Sequence, residues 1–575
     1  MTVSYQPAAG YSGPDAFTVQ VSDGKGGSAS TVVNVTVNGE TPPPPGPAWY
    51  VAINDPAASD TAADAGTQAK PFKTLQKAAA VVRPGDTVYV KAGRYTSTNG
   101  LSYSGTLLIS TSGTADKPIT FARYGNDEVI IDATSTQTYG IAVGDVRNNK
   151  PVAYINIRGF KVTGAIRDGI YVFKGSYVNI QDCECYSNNR AWEGGQVAYY
   201  SGICASGGDH ITVEDCRVYN NGGGIAFVET DYNSTDPTGS KYCTIRRNFI
   251  YCNAFSGNYG NSTGFGMRFG ERSLIESNVI YDNPDAAING LGNVYNRFLR
   301  NALFNSWQQP GNREGIKFCV RGGGGNLVAF NISAFNANTG FDSTSGVGDV
   351  VINNTFYHND RWGILLEGRY TLLMNNISFA NNPNNALGRR DIEVNSNGMH
   401  PSSDYNLIGD AINLPLVSKQ QMPQPHTINQ NPKLVAPDLH FSRSNPQQVI
   451  HPEQLFADAN HDGKVTIEEA MADIAARFRL GQDSPARGAG ARLSDIQSTI
   501  TSAIPDFINQ ANQRISALSG DSVLQSKQSC SMWRRTISYM QSADHGGLTN
   551  LSGLRDFAGN PVSLSAPANM GASQQ

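Results

Sequence analysis

The chain has 575 residues, 60 of them glycine and 28 proline, with 39% hydrophobic and only 16% charged. That balance argues against a helical bundle and against simple disorder, and it suits an all-β protein with many turns. A formal net charge of −4 argues against nucleic acid as the main partner, because phosphate binding needs a basic face.

The chain opens "MTVSYQPAAGYSGPDAF", strand-like from the start and with no secretory leader, so it is expected to be a piece of something longer. No apolar run is long enough to span a bilayer. Within residues 1–40, "DAFTVQVSDGKGGSASTVVNVTVNG" alternates apolar and polar residues and predicts two strands joined by the "SDGKGG" turn. This segment resembles the end of the cadherin-like, immunoglobulin-type repeats of large bacterial surface and secreted proteins. Forty residues are too few for a whole sandwich, so a truncated module is expected. Residues 41–47, "TPPPPGP", read as a stiff polyproline linker.

Residues 48–450 read as one solenoid. "KPFKTLQKAAAVV" has helical spacing and "PGDTVYVKAG" is a turn then a strand. A helix ahead of the first strand is what an open solenoid end requires as a cap. Eight segments then share one pattern, from "YVNIQDCECYSNN" and "HITVEDCRVYNN" to "VVINNTFYHN" and "LLMNNISFANN". Their common Cys/Asn position falls at 183, 216, 248, 278, 301, 331, 354 and 376. The shortest repeat is about 22 residues, with insertions, as in a right-handed parallel β-helix whose loops grow on one side. Asparagines stacked at one turn predict a hydrogen-bonded ladder, headed by Cys183 and Cys216 as small buried residues. None of the eight cysteines forms a CxxC pair, which argues against zinc, and spacing does not assign disulfides.

A second motif follows each repeat: "GIYVF", "GICAS", "GIAFV", "GFGMRF", "AINGL", "GIKFC", "GFDST", "GILLE". The Ile or Phe is expected to face the core, and alternation sends the next residue outward. The outward column reads Tyr171, Cys204, Ala226, Gly266, Asn289, Lys317, Asp342, Leu365. Lys317 is thus expected between Asn289 and Asp342, with Arg268 on the same face and the glycines of "RGGGG" keeping the adjacent turn low. Asp282, Asp285 and Asn289 lie close together in "YDNPDAAIN" and suit a hard cation such as Ca²⁺. They equally suit plain turn chemistry.

"GFGMRFG", "NPDAAIN", "GIKFCVRGGGG" and "NISAFNANTGFDSTSGVGDVVINNTFYHND" resemble consecutive rungs of the family 9 polysaccharide lyases, typified by calcium-dependent pectate lyases, over roughly residues 48–410. The resemblance implies a secreted or cell-surface bacterial enzyme that cleaves an acidic polysaccharide by β-elimination, with Lys317 as base. It also implies a calcium site where this chain reads Asp285, Ala286, Ala287, Ile288, Asn289, with Thr263 one rung earlier. One carboxylate is kept, one is Asn and two are absent, so Arg268, Arg313 or Arg321 are candidates to neutralise a substrate carboxylate instead. Asn289 and Asp342 are candidate substrate contacts. A monomer is expected.

Residues 451–480 hold "DANHDGKVTIEE", a D-x-N-x-D-G-x5-E loop with Asp458, Asn460, Asp462 and Glu469 as ligands and Lys464 offering its carbonyl, followed by a helix. A single loop points to structural Ca²⁺ rather than a sensor. Residues 481–575 read as a closing segment, "DSPARGAGA" and "RDFAGNPVSLSAPANMGA", interrupted by a helical insertion at 495–544 that either covers the open end or forms a subsite wall. Two other functions remain open on this scaffold. One is a glycoside hydrolase using Asp285 and Asp342; the other is a surface protein that binds glycan without catalysis.

Overall fold

The computed structural model describes residues 13–22, 28–37, 48–97, 105–134, 136–189, 201–253, 262–307, 313–319, 321–368, 370–383, 391–394, 398–409, 425–441 and 448–572. The polyproline segment at 41–47 lies outside them. Gly13–Ser22 and Ser28–Val37 pair antiparallel as the expected hairpin.

From Ala48 the chain winds as a parallel β-helix of three sheets, each turn contributing one strand to each sheet. Sheet I has twelve strands, from Ala48–Val51 to Leu372–Met374; sheet II has twelve, from Gly93–Tyr95 to Leu407–Ile408; sheet III has eleven, from Gly105–Ile109 to Ile392–Val394. The core is built by stacking like on like. On sheet I the inward column runs Val88, Phe121, Ile157, Ile180, Val213, Ile245, Ile275, Phe298, Val328, Val351, Leu373 in unbroken register. Every one of these side chains is buried. Sequential rungs bury each other's apolar residues, so stability accrues rung by rung.

The predicted helix forms as α1 (Leu75–Val81), with the Thr74 hydroxyl capping the Lys77 amide. The expected order of helix and then first strand is overturned: Ala48–Val51 already pairs with Thr87–Val90, so the first strand comes before the helix. The apolar face of α1 (Leu75, Ala78, Ala79) packs on Val51, Phe72 and Val88 at the end of the core.

The asparagine ladder forms as expected. Asn248, Asn278, Asn301, Asn331, Asn354 and Asn376 each donate Nδ2 to the next carboxamide oxygen at 2.9–3.0 Å, ending on Asn406. Cys216 leads in through its backbone N–H to Asn248 Oδ1, and Cys183 and Cys216 are buried with free thiols. Further ladders line the other turns: Asn188–Asn221–Asn253–Asn283 and Asn336–Asn359–Asn381 at one, Asn296–Asn326–Asp349 at another. Each carboxamide closes backbone groups that a turn of the coil leaves open, so a break in the ladder orphans several buried partners. Asn331→Ala, which strands the Asn301 amide N–H and takes one partner each from Asn301 Nδ2, Asn354 Oδ1 and the Phe298 carbonyl, is expected to cost roughly 2–4 kcal/mol. A thermal melt several degrees lower checks it.

Three helices from the C-terminal third pack along the outside of the coil. Helix α2 (Ile467–Phe478) lays Ile467, Ala470, Met471, Ile474 and Phe478 on the outer face of sheet II, against Tyr251, Tyr281 and Phe304. Helices α3 (Leu493–Leu518) and α4 (Leu524–Met540) cover the outer face of sheet I, packing on Leu327, Ala329, Val350, Ile352 and Leu372. The helical insertion therefore covers a flank, not the open end. The two stretches flanking the helical insertion meet: Gly490 N–H donates to Ala568 O, and Met570 N–H to Ala486 O.

Candidate active site

Helix α2 packs along sheet II and helices α3 and α4 along sheet I, while Lys317 lies on the third sheet, sheet III. In the strand Ile316–Cys319, Ile316 and Phe318 point into the core while Lys317 and Cys319 point out. The register sets Asn289 beside Lys317 on one side and Asp342 on the other, as the alternation predicts. The rest of the outward column also pairs in the expected order, from Tyr171 through Cys204, Ala226 and Gly266 to Leu365.

Lys317 is held between two carboxylates. Its Nζ lies 3.4 Å from Asp342 Oδ2 and 3.6 Å from Glu314 Oε1. The Glu314 side chain is 1% exposed, that of Asp342 5% and that of Lys317 16%. Burial pulls the lysine pKa down, but the charges of Glu314 and Asp342 outweigh it and the net shift is upward. Burial pushes Glu314 up to about 7, against the opposing pull of Lys317. It pushes Asp342 up to about 6 in the same way. Glu314 Oε2 and Asp342 Oδ1 are buried without a hydrogen-bond partner, whereas Glu314 Oε1 accepts from Asn338 Nδ2 at 2.6 Å. Glu314 carries no periodic signal in the sequence. It sits in the turn before the strand and folds back onto Lys317.

The acidic run does not assemble as a unit. Asp285 is buried beside the column, 3.5 Å from Asn289 Nδ2, and its charge acts on Glu314 and Cys319. Asp282 ends a strand of sheet II, and its carboxylate accepts from Cys252 Sγ at 3.2 Å, on the flank that packs against Ile450. One strand-to-strand turn separates the two carboxylates. Among the described residues no three His, Cys, Asp or Glu side chains converge as metal ligands. Asp282 thus lies on the sheet II flank while Asp285 and Asn289 meet beside Lys317, so the three do not form one donor set.

The three arginines lie in different places. Arg268 donates to Glu229 Oε1 at 2.8 Å and lies 5.1 Å from the Tyr232 ring centre. Arg321 lies 5.5 Å from the same ring and donates Nη2 to the Tyr232 hydroxyl at 2.5 Å. Arg313 borders the opposite end of the Lys317 strand, where its charge acts on Asp360. Glu229 and Tyr232 belong to a loop that enters from three rungs earlier, so nothing in the local sequence of Lys317 announces them.

The "RGGGG" run has a different role from the one expected. Gly322, Gly323, Gly324 and Gly325 all have positive φ and are buried. A Cβ on Gly322 would stand 2.6 Å from Ser529 O of α4, and one on Gly324 2.0 Å from Val347 O. These glycines let α4 and the adjoining rungs close onto the turn, and clearance for a bound chain is not what they supply.

The loop at 458–469 folds with Gly463 at φ +85 and the Gly463 N–H bonded to Asp458 Oδ2 at 2.8 Å. Asn460 and Asp462 accept from Asp462 and Lys464 N–H, and Glu469 bridges the amides of Ala459 and Asn460 with one oxygen while capping α2 with the other. Asp458 Oδ1 is buried and has no hydrogen-bond partner among the described residues. An all-oxygen donor set with one orphaned carboxylate oxygen fits a hard cation. The loop is pinned to sheet II, where Arg217 donates to Glu453 Oε1 and Val465 O, well away from the face of Lys317.

Comparison with known proteins matches residues 49–382 to the model "Pel9A-like, right handed beta helix region" and residues 1–36 to a bacterial Ig domain. Among solved structures, pectate lyase Pel9A aligns at 18% identity with a TM-score of 0.43, covering 77% of this chain and 92% of that one. A rhamnogalacturonan lyase aligns at 13% and 0.40 over 70% and 95%, and the GH136 lacto-N-biosidase from Eubacterium ramulus at 13% and 0.41 over 67% of each. The uncharacterized protein YwoF of Bacillus subtilis (strain 168) is 33% identical over 125 residues, which is 20% of this chain and 25% of that protein. The chain thus spans a quarter of the length of this curated relative. With the family model covering most of the coil, this protein belongs to the Pel9A-like right-handed β-helix family.

Proposed function

We propose that the protein cleaves an acidic, uronic-acid-containing polysaccharide by β-elimination, with Lys317 as the Brønsted base. The observation that carries this reading is one amine set on the outward column of sheet III, between Asn289 and Asp342, on a different face of the coil from those along which α2 and α3–α4 pack. The free amine takes the proton from C5 of the uronate. The electron pair left behind forms the C4–C5 double bond, the C4–O4 bond breaks, and O4 departs with the bonding pair and takes up a proton from solvent. Positive charge near the sugar carboxylate makes the C5 proton more acidic. In this chain Arg268 and Arg321 offer that charge, while Asn289 and Asp342 face the sugar hydroxyls. Arg313, at the far edge, contacts the chain outside this centre. The bacterial Ig match and a polymeric substrate fit work outside the cell, on the surface or secreted. Among the described residues no helix is long and apolar enough to cross a membrane.

Calcium belongs in this reading only at the 458–469 loop, where Asp458, Asn460, Asp462, Glu469 and the Lys464 carbonyl would hold it. There it supplies a closed loop under α2 and no chemistry. Incubation with polygalacturonate and alginate is expected to release a product with the ultraviolet absorbance of a conjugated, unsaturated uronate. A chelator is expected to lower the melting temperature yet leave the initial rate unchanged well below the melt. A rate abolished by chelation and restored by Ca²⁺ without any change in the melt would place a metal in the groove.

One observation favours a second reading. Glu314 Oε1 and Asp342 Oδ2 both lie against the same Nζ, so they are at most about 7 Å apart, a limit that admits the spacing of about 5–5.5 Å that retaining glycosidases use. It stands beside the Asp285–Asp342 pair offered by the sequence, which lies two rungs apart across Lys317. Reducing ends released without unsaturated product would select hydrolysis.

A further inference from the structure

The helical insertion reaches the sheet III site at one place, and what it holds there is an unmatched cation. Arg321 is 6% exposed, and its Nε and Nη1 are buried without a hydrogen-bond partner. Its one polar contact among the described residues is the Tyr232 hydroxyl. Glu229 of the same loop pairs with Arg268, and among the described residues no ion pair joins a carboxylate to Arg321. A buried guanidinium without an anion is costly, and completing it takes one negative charge of carboxylate size. The backbone points the same way. Arg321 has φ +99, whereas the other non-glycine residues with positive φ lie between +48 and +68, the ordinary left-handed region of β-helix turns. Strain of this kind persists where surrounding packing enforces it, and it clusters at ligand sites.

The enforcing packing is α4. Gln528, fully buried, donates Nε2 to the carbonyls of Tyr232 at 2.7 Å and Ser234 at 3.0 Å. Arg535 and Ser531 hold Asp236 of the same loop. Ser529 closes on Gly322, immediately after Arg321, and Trp533 Nε1 donates to Ser345 O on the next rung. The insertion thereby fixes Tyr232, almost 300 residues earlier in sequence, and the backbone of Arg321, some 200 residues earlier.

We propose that Arg321, with Arg268 beside it, forms a subsite for the carboxylate of an acidic sugar residue, and that Tyr232 and the α4 residue Gln528 are positioning residues that aim it. Arg321 donates to the carboxylate, Tyr232 orients both guanidiniums, and its 39% exposed ring marks the entrance. The proposal rests on the reading of an acidic polysaccharide, and it gives the helical insertion a role in choosing acidic over neutral sugars.

The test is calorimetric titration of oligogalacturonate, oligoguluronate, oligomannuronate and a neutral xylo-oligosaccharide into the full chain carrying Lys317→Arg, so that binding is read without turnover. Adding Arg321→Gln is expected to weaken the tightest-bound oligouronate roughly tenfold and to leave the neutral sugar unchanged. Gln528→Ala is expected to weaken the same oligouronate by a smaller factor with the acidic-to-neutral selectivity reduced, and Gln528→Asn to restore part of it. Melting curves confirm that each variant is folded. Unchanged oligouronate affinity in Arg321→Gln, equal loss for acidic and neutral sugars, or no oligouronate binding before the substitution overturns the proposal. If Arg321→Gln weakens oligouronate binding while the wild type makes no unsaturated product, the subsite stands and the elimination reading falls. If the wild type eliminates and Arg321→Gln binds normally, the reverse holds.

Discussion

Lys317→Arg is expected to fold normally and to make no unsaturated product. The guanidinium preserves the positive charge that Glu314 and Asp342 require, so neither buried carboxylate is left alone. Its pKa is too high for it to shed a proton in a protein, so it cannot accept one from C5. A positioned general base contributes about 10²–10⁴-fold to a proton transfer, and the loss is expected at the upper end because no second amine stands in the column. Lys317→Ala removes the same base but strands two buried acids. Its melting temperature is expected to fall, and to fall further as pH rises and those acids ionise. Initial rates of ultraviolet-absorbing product, together with melts at two pH values, separate the two variants. Comparable rates in wild type and Lys317→Arg would remove Lys317 from the chemistry.

The rate of elimination is expected to climb about tenfold per pH unit from neutral into the alkaline range. The sign follows from the site. Burial lowers the lysine pKa, but Glu314 and Asp342, with a weaker pull from Cys319, raise it further than burial lowers it. Lys317 is therefore an ammonium at neutral pH, and only the small amine fraction, which grows tenfold per unit below the pKa, can take a proton. Neutralising one neighbour removes a stabiliser of the ammonium, so Glu314→Gln and Asp342→Asn should each move the rising limb to lower pH. Stability moves the other way for the carboxyls. Their folded pKa values, about 7 for Glu314 and about 6 for Asp342, lie above their ordinary ones. The native state thus holds more protons than the unfolded chain, and their contribution to stability falls as pH rises from the ordinary carboxylate range through those values. A flat pH–rate profile, or a limb that the two substitutions leave in place, would contradict a lysine base set by these acids.

Much of the architecture is legible because the coil repeats its own instructions. Asn at 248, 278, 301, 331, 354 and 376 announces the ladder, since each side chain must meet the next. Strict alternation in "GIKFC" and its counterparts places Lys317 between Asn289 and Asp342 with no knowledge of distance. What repeats poorly is hard to read. Glu314 lies in a turn, where period-two alternation says nothing about direction. Asp282 and Asp285 are three residues apart, yet the chain turns a corner between sheets, so proximity in sequence misleads. The glycines after Arg321 read as clearance because their tenant, Ser529, comes from a helix some 200 residues later. Tyr232 and Gln528 meet for the same reason, a contact that no local pattern encodes.

The most direct measurement is chemical rescue of Lys317→Ala by a small primary amine. Methylamine diffusing into the vacated position is expected to restore formation of unsaturated product, in proportion to the concentration of its free-base form, while leaving Lys317→Arg inactive. Undiminished product from Lys317→Ala without amine, or a wild type that forms none from any uronate polymer, would contradict the assignment of the base.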